Sequence, residues 1–129
     1  MSEKRKLAIR VILLPKDTNA LGTIFGGVIL SQIDLAATVT TRHYTRQRVV
    51  TVAMKEVVFH EPVFVGDVVS FYTSLIRIGT TSISVRVEVE AERATGVAET
   101  VKVTEAEVVY VAVDKNGNKT PIIRVQPED

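Results

Sequence analysis

Between Val28 and Val39 the apolar positions do not keep to one stripe. They almost encircle a helical axis, the pattern of a helix buried inside a domain and not lying on its surface. The stretch Gly22-Thr23-Ile24-Phe25-Gly26-Gly27 reads as a glycine turn feeding this helix, which the pattern carries to about His43 or Tyr44. One acid, Asp34, interrupts the apolar run. A carboxylate there loses hydration worth several kcal/mol unless it is paired or hydrogen-bonded, so it needs a partner or a task. Ser31, Asp34, Thr38 and Thr41, spaced three, four and three, fall along one side and give the helix a polar seam.

Elsewhere the pattern has a period of two. Leu7 to Leu14 has the β-branched content of a short strand that Pro15 ends, followed by an irregular loop from Lys16 to Gly22. Four long strands are expected after the helix: Val49 to Phe59, Asp67 to Ile78, Ser82 to Ala94 and Glu99 to Val113. Their brief connections suit consecutive antiparallel neighbours. Val85, Val87 and Val89 alternate with Arg86, Glu88 and Glu90, giving one buried and one wet face. In the last strand the phase slips, and a bulge near Thr104 to Ala106 would restore it. Asp114 to Lys119 reads as a turn, and the chain beyond Pro121 as a loosely held tail.

A single helix beside one long sheet is a one-sided α+β arrangement, and the helix is wrapped only if the sheet curls around it. One helix covers one face of so much β-rich sequence. The remaining apolar sheet surface is therefore expected to meet another copy, in a dimer at least. The 129 residues suit one domain, with a core from about 7 to 114 and a short C-terminal tail.

Composition narrows the chemistry. Sixteen Lys and Arg against fifteen Asp and Glu leave a formal charge of +1, so nothing in the bulk balance calls for nucleic acid or an anionic membrane. The absence of cysteine excludes a disulfide framework, a thiolate zinc site and a cysteine nucleophile. His43 and His60 stand far apart with no carboxylates at ligand spacing, which argues against a metal. The apolar run after the basic N-terminus is too short for a secretion signal, and the central helix is too polar to cross a membrane. A cytoplasmic protein is the expectation.

Taken residue by residue, the first amides of the helix at Gly26 and Gly27 lack intrahelical partners and can hold a polarised oxygen or an anion. Arg42, His43 and Arg46 suit the negative end of the helix dipole. By loop rules Asn19 is a turn residue or a helix-start cap, and Thr38 is a hydroxyl bonded back to its own helix. Gly79-Thr80-Thr81-Ser82 reads as a hairpin turn, and Arg77, Arg86 and Lys102 as solvated strand-face cations.

Three groups of residues together resemble a known family. They are Asp17-Thr18-Asn19-Ala20-Leu21-Gly22-Thr23-Ile24-Phe25-Gly26-Gly27 leading to Asp34, Phe59-His60-Glu61-Pro62-Val63 with Gly66-Asp67, and Gly79-Thr80-Thr81-Ser82. From about Leu7 to Asp114 the chain resembles the hotdog-fold acyl-CoA thioesterases, in particular the small bacterial acyl-CoA hydrolases of broad chain preference. The resemblance implies a hotdog fold, one long central helix wrapped by a curved antiparallel sheet of about five strands. It implies hydrolysis of acyl-CoA to free acid and coenzyme A, which is substrate and product, with no separate cofactor. It makes Asp34 the catalytic carboxylate, as general base or nucleophile, Asn19 its polar companion, and the Gly26 and Gly27 amides the donors to the thioester oxygen. Thr38 takes the place of a water-positioning threonine. The Gly79, Thr80, Thr81 and Ser82 turn then lies beside pantetheine, and Arg77, Arg86 and Lys102 are the cations that could meet coenzyme A phosphates. A homo-oligomer built from dimers is implied, a hexamer as a trimer of dimers first and a tetramer second.

A helix rises roughly 10 Å from Gly27 to Asp34 at ~1.5 Å per residue, so one carbonyl cannot readily touch both groups of the same helix. Two copies with opposed helices would set the helix start of one against Asp34 of the other. The alternative in a different class is a non-catalytic acyl-CoA binding or sensing module of the same fold. A hotdog dehydratase or hydratase would need a histidine with an acid, and none stands between Pro15 and Ala37.

Overall fold

The computed structural model describes residues 4–96 and 98–125. Five strands and one long helix follow in the order β1 (Lys6–Ile12), α1 (Gly26–Thr41), β2 (Arg48–Phe59), β3 (Val68–Ile78), β4 (Ser82–Glu92) and β5 (Thr100–Val113). A 3₁₀ turn, Pro15–Asp17, opens the loop before α1. The sheet is antiparallel in the order β1-β3-β4-β5-β2, so β1 and β2 form its edges.

The alternation seen in the sequence decides what faces the helix. Ile83, Val85, Val87, Val89 and Ala91 of β4 are fully buried, as are Val69 and Phe71 of β3. The intervening Arg86, Glu88 and Glu90 lie on the outer face, half-buried. The helix meets this floor with Ile29, Ile33, Ala36 and Ala37. The two alanines let the helix axis come close to the sheet, while each buried Val, Ile or Phe contributes about 1.5–3 kcal/mol over leaving it in water.

The sheet curls through irregularities that shift strand register. They fall between Leu7 and Ile9 in β1, Thr51 and Ala53 and again Lys55 and Val58 in β2, and Leu75 and Arg77 in β3. A bulge adds local right-handed twist and bends the strand, which is how a flat sheet is made to cup a helix. Within the second β2 irregularity Glu56 takes a φ of +57°, left-handed backbone in a non-glycine residue. The phase slip expected near Thr104 to Ala106 sits just before them: Val103 is the extra residue between the Glu90–Lys102 and Val89–Thr104 pairs. Val103 is thereby turned to the core, and Thr104, Ala106, Val108 and Tyr110 continue on that side.

Two expectations are corrected. The four later strands are not all consecutive neighbours, because β2 pairs with β5 while β3 pairs with β1 and β4. The connection from His60 to Asp67 is therefore a crossing, anchored midway where the Ile24 amide donates to the Val63 carbonyl at 2.8 Å. The tail is not loose as far as residue 125. The Ile122 amide donates to Thr80 O, the Val125 amide to Tyr44 O, and Gln47 bonds both Pro121 O and the Ile123 amide. Those bonds satisfy backbone groups that a free tail would leave to water. Residues 126–129 of that tail lie outside the described residues. As expected, the curved sheet covers one side of the helix and leaves the other open. Leu35 and Val39 on the side of α1 away from the sheet are each 54% exposed, and Val50, Val52 and Val58 stand exposed on β2. Such an apolar edge beside an uncovered helix flank is the surface that the sequence assigned to another copy.

Candidate functional site

Asp34 lies in the third turn of α1, on the flank that looks toward β2 and β5. Two hydroxyls from the sheet converge on one of its oxygens. Thr51 Oγ1 donates to Oδ1 at 2.8 Å, and Tyr110 Oη lies 2.7 Å from the same atom. Thr51 and Tyr110 are cross-strand partners in the β2–β5 ladder, so both hydroxyls come from one rung of a rigid sheet. Tyr110 Oη is also 2.8 Å from the Asp34 main-chain oxygen. The phenol has one proton, and the charged oxygen is the stronger acceptor for it. No described residue bonds Oδ2.

Tyr110 is 1% exposed. Burial first, and then the Asp34 carboxylate beside it, push its phenol far above the ordinary tyrosine value, while the bond from Thr38 works the other way. The phenol therefore stays protonated and remains a donor to Asp34. Thr38 Oγ1 sits 2.8 Å from the Asp34 main-chain oxygen and 3.1 Å from Tyr110 Oη. Its hydroxyl thus turns back on its own helix and touches the carboxylate only through Tyr110. Along the same seam Ser31 and Thr41 donate to main-chain oxygens one turn back.

The helix start is held differently. Phe25 is the residue before the first turn, with extended backbone and its amide bonded to Asp17 O. Gly26 and Gly27 follow, their amides without intrahelical acceptors. A side chain at Gly27 would come within 2.6 Å of the Phe25 ring, and one at Gly26 would rest 3.7 Å from Phe59. Two aromatic rings therefore flank a pair of open amides. Asn19 builds the loop leading there. Its Oδ1 accepts the Leu21 and Thr23 amides and its Nδ2 donates to Thr23 Oγ1, with Gly22 at φ +87° between them. Within one chain Asn19 makes no bond to Asp34, and the helix start stands two turns from the carboxylate.

The Gly79 to Ser82 turn closes the β3–β4 hairpin through the Gly79 amide and Ser82 O. Ile83, the residue after it, pairs with Tyr110, so this turn lies just along the sheet from the Asp34 rung. Arg77 stands exposed beside it and makes no ion pair with a described residue. Arg86 and Lys102 are already paired with Glu105 on the outer face. Among the described residues no three His, Cys, Asp or Glu side chains group as a metal site, and no helix is long and apolar enough to cross a membrane.

Thr51 and Tyr110 were not singled out from the sequence. The signal for Tyr110 is its parity: after the bulge it points inward between Val108 and Ala112, where a hydroxyl needs a polar partner. Thr51 carries no such signal, because its contact follows only from the pairing of β2 with β5.

The comparisons with known proteins bear on the family and the fold. A model of the thioesterase superfamily matches residues 21–98. The acyl-CoA thioester hydrolase YciA of Salmonella typhimurium is 40% identical over 119 residues, 91% of this chain and 90% of that protein. A hexameric hotdog fold thioesterase of Campylobacter jejuni has a TM-score of 0.85 at 48% identity, covering 91% of this chain and 90% of that one. A hexameric broad specificity acyl-coenzyme A thioesterase, solved as an aspartate-to-alanine mutant, has a TM-score of 0.89 at 38% identity, covering 97% and 91%. One long helix on a five-stranded antiparallel sheet, left open on one side, is the hotdog fold of these neighbours.

Proposed function

The chain belongs to the thioesterase superfamily, and from that premise we propose that it hydrolyses acyl-CoA thioesters to a free acid and coenzyme A. The observation that carries this reading is the Asp34 carboxylate, with Oδ1 fixed by two hydroxyls and Oδ2 bonded by no described residue. A base held in that way keeps one oxygen aimed while spending none of its free lone pairs on the protein.

Asp34 acts as general base. Oδ2 takes a proton from water as the water oxygen bonds to the thioester carbon, and the carbonyl electrons move onto oxygen. The Gly26 and Gly27 amides donate to that oxyanion. Collapse breaks the carbon–sulfur bond, and the proton held by Asp34 passes to the departing thiolate. Because the amides and the carboxylate of one helix are roughly 10 Å apart, the amides come from a second copy. The exposed β2 edge and the flank formed by Leu35 and Val39 supply the surface for that copy, in a homo-oligomer built from dimers, with a trimer of dimers as the assembly. Asn19 shapes the loop that presents the amides, Thr38 holds Tyr110, and the Gly79, Thr80, Thr81 and Ser82 turn with Arg77 lies along the path of the coenzyme A arm.

The test is thiol release from acyl-CoAs of several chain lengths by wild type and Asp34→Ala, with folding followed by thermal melting. Wild type should turn over while folded Asp34→Ala binds and loses ~10²- to 10⁴-fold in kcat. Binding without cleavage by wild type would overturn the reading in favour of a sensing module. In heavy-oxygen water under single turnover, a general base sends all the label to the product acid; label in Asp34 would mean direct nucleophilic attack.

A further inference from the structure

Asp67 is 1% exposed, yet the proposed chemistry makes no use of it. Its carboxylate is fully occupied. Oδ2 accepts Arg93 Nη1 at 2.6 Å and the Phe64 amide at 2.9 Å, and Oδ1 accepts the Ala94 amide at 3.2 Å. Arg93, just past the end of β4, uses the same nitrogen to reach Pro62 O at 2.9 Å, and its guanidinium stacks 4.8 Å over the Phe64 ring. Between these anchors the Asp67 amide donates to Phe64 O, with Gly66 at φ +91° making the turn. A methyl group at Gly66 would meet Ala94 at 3.1 Å, so the turn is pressed against the strand end. The segment from Pro62 to Asp67 is thus fastened to the sheet at both its ends.

What this segment carries is the helix start. Val63, buried in the core, accepts the Ile24 amide at 2.8 Å, two residues before Gly26. On the other side of the same residues, Thr18 bridges Ile24 and Asp17 O accepts the Phe25 amide. The 17–19 loop bonds mainly to itself and to the helix start, so the Val63 carbonyl is the bond that references this entrance to the sheet. We propose that the Asp67–Arg93 pair is a positioning device for the reaction: through Pro62–Val63 and Ile24 it fixes where the Gly26 and Gly27 amides point. This inference rests on the reading of those amides as the oxyanion donors.

The consequence is selective. A shift of a few tenths of an ångström at the helix start leaves the rest of the coenzyme A path in place but misaligns donors that matter when charge develops on oxygen. Asp67→Asn, Arg93→Met and Arg93→Lys are measured for kcat, KM, melting temperature and oligomer size. Affinity is measured for two acyl-CoA analogues: a thioether, which has no carbonyl, and a trifluoromethyl ketone, whose tetrahedral hydrate loses a proton to give an oxyanion. Asp67→Asn and Arg93→Met should lower kcat about tenfold or more with KM and thioether affinity within about twofold, while ketone affinity falls by the same factor as kcat/KM. Arg93→Lys, which keeps the charge but loses the planar guanidinium that stacks on Phe64, should fold like wild type and fall between. An unchanged kcat in any folded variant of the first two, or an equal loss of both analogues, overturns the proposal. Gly26→Pro, run alongside, separates the two claims. If it weakens the ketone and the Asp67 and Arg93 variants do not, only the positioning role fails. If it leaves the ketone untouched, the reading of the amides fails.

Discussion

Asp34 and the start of the helix that carries it are two turns apart and are held by opposite means. The carboxylate is placed by side chains, Thr51 and Tyr110, that stand on one rung of the sheet. The glycines are placed by the main chain around them, Phe25 on Asp17 and Ile24 on Val63, in a loop that the Asn19 side chain ties together. On the proposed mechanism the difference follows from what each region must offer. A base needs one oxygen fixed and one free, which hydroxyl donors provide without adding charge. On the proposed reading the oxyanion donors are main-chain N–H groups, which can be aimed only by holding the surrounding main chain. The first region therefore depends on residue identity, and the second on loop geometry.

Substitutions should separate the two regions. The largest loss is expected for Asp34→Ala, whose kcat falls to near background. Gly26→Pro comes next, with a loss of ~10²- to 10³-fold, the usual effect of deleting one oxyanion donor. Proline suits the first turn of a helix, and the extended backbone of Phe25 already fits a residue that precedes proline, so this variant should melt close to wild type. Tyr110→Phe removes one donor to Oδ1 and leaves Thr51. Since a hydrogen bond to a charged group contributes about 1.5–3 kcal/mol, steady-state kinetics should show a ~10- to 10²-fold drop in kcat with KM nearly unchanged. If Tyr110→Phe raised KM and spared kcat, the hydroxyl would belong to binding and not to the base.

The smallest effect concerns stability. The Tyr110 phenol is raised above its ordinary value of 10.0 in the folded chain. Above that pH the unfolded chain gives up the proton first while the folded chain keeps it, so folding stability declines as pH climbs from about 10 toward the folded value. Urea melts between pH 8 and about 11 should show this decline in wild type and a shallower one in Tyr110→Phe.

Much of the fold was legible because periodicity is a local property. The helix from Gly26 to Thr41 and the five strands sit within about three residues of where the pattern places them, and the phase slip in β5 foretold a bulge. Strand order was not legible. The six residues from Glu61 to Gly66 look like a hairpin connection, and nothing in their composition says that they cross to the far side of β4 and β5. That topology depends on Val63 docking under the helix start, a contact between residues far apart in sequence. The same limit applies to the site. Asp34 announced itself as an acid in an apolar helix, and the Asn19 loop and paired glycines drew their meaning from a resemblance. Thr51 and Tyr110 had to wait for the register of β2 against β5, which no local pattern encodes.

The central claim is that each site takes its carboxylate from one chain and its amides from another. Mixing Asp34→Ala chains with Gly26→Pro chains tests it directly. Each mixed pair then contains one site with both defects and one with none. If the two inactive variants are unfolded together and refolded at equal concentration, half the pairs are mixed and about a quarter of wild-type thiol release should return. A mixture as inactive as its components would place carboxylate and amides in the same chain and contradict the account.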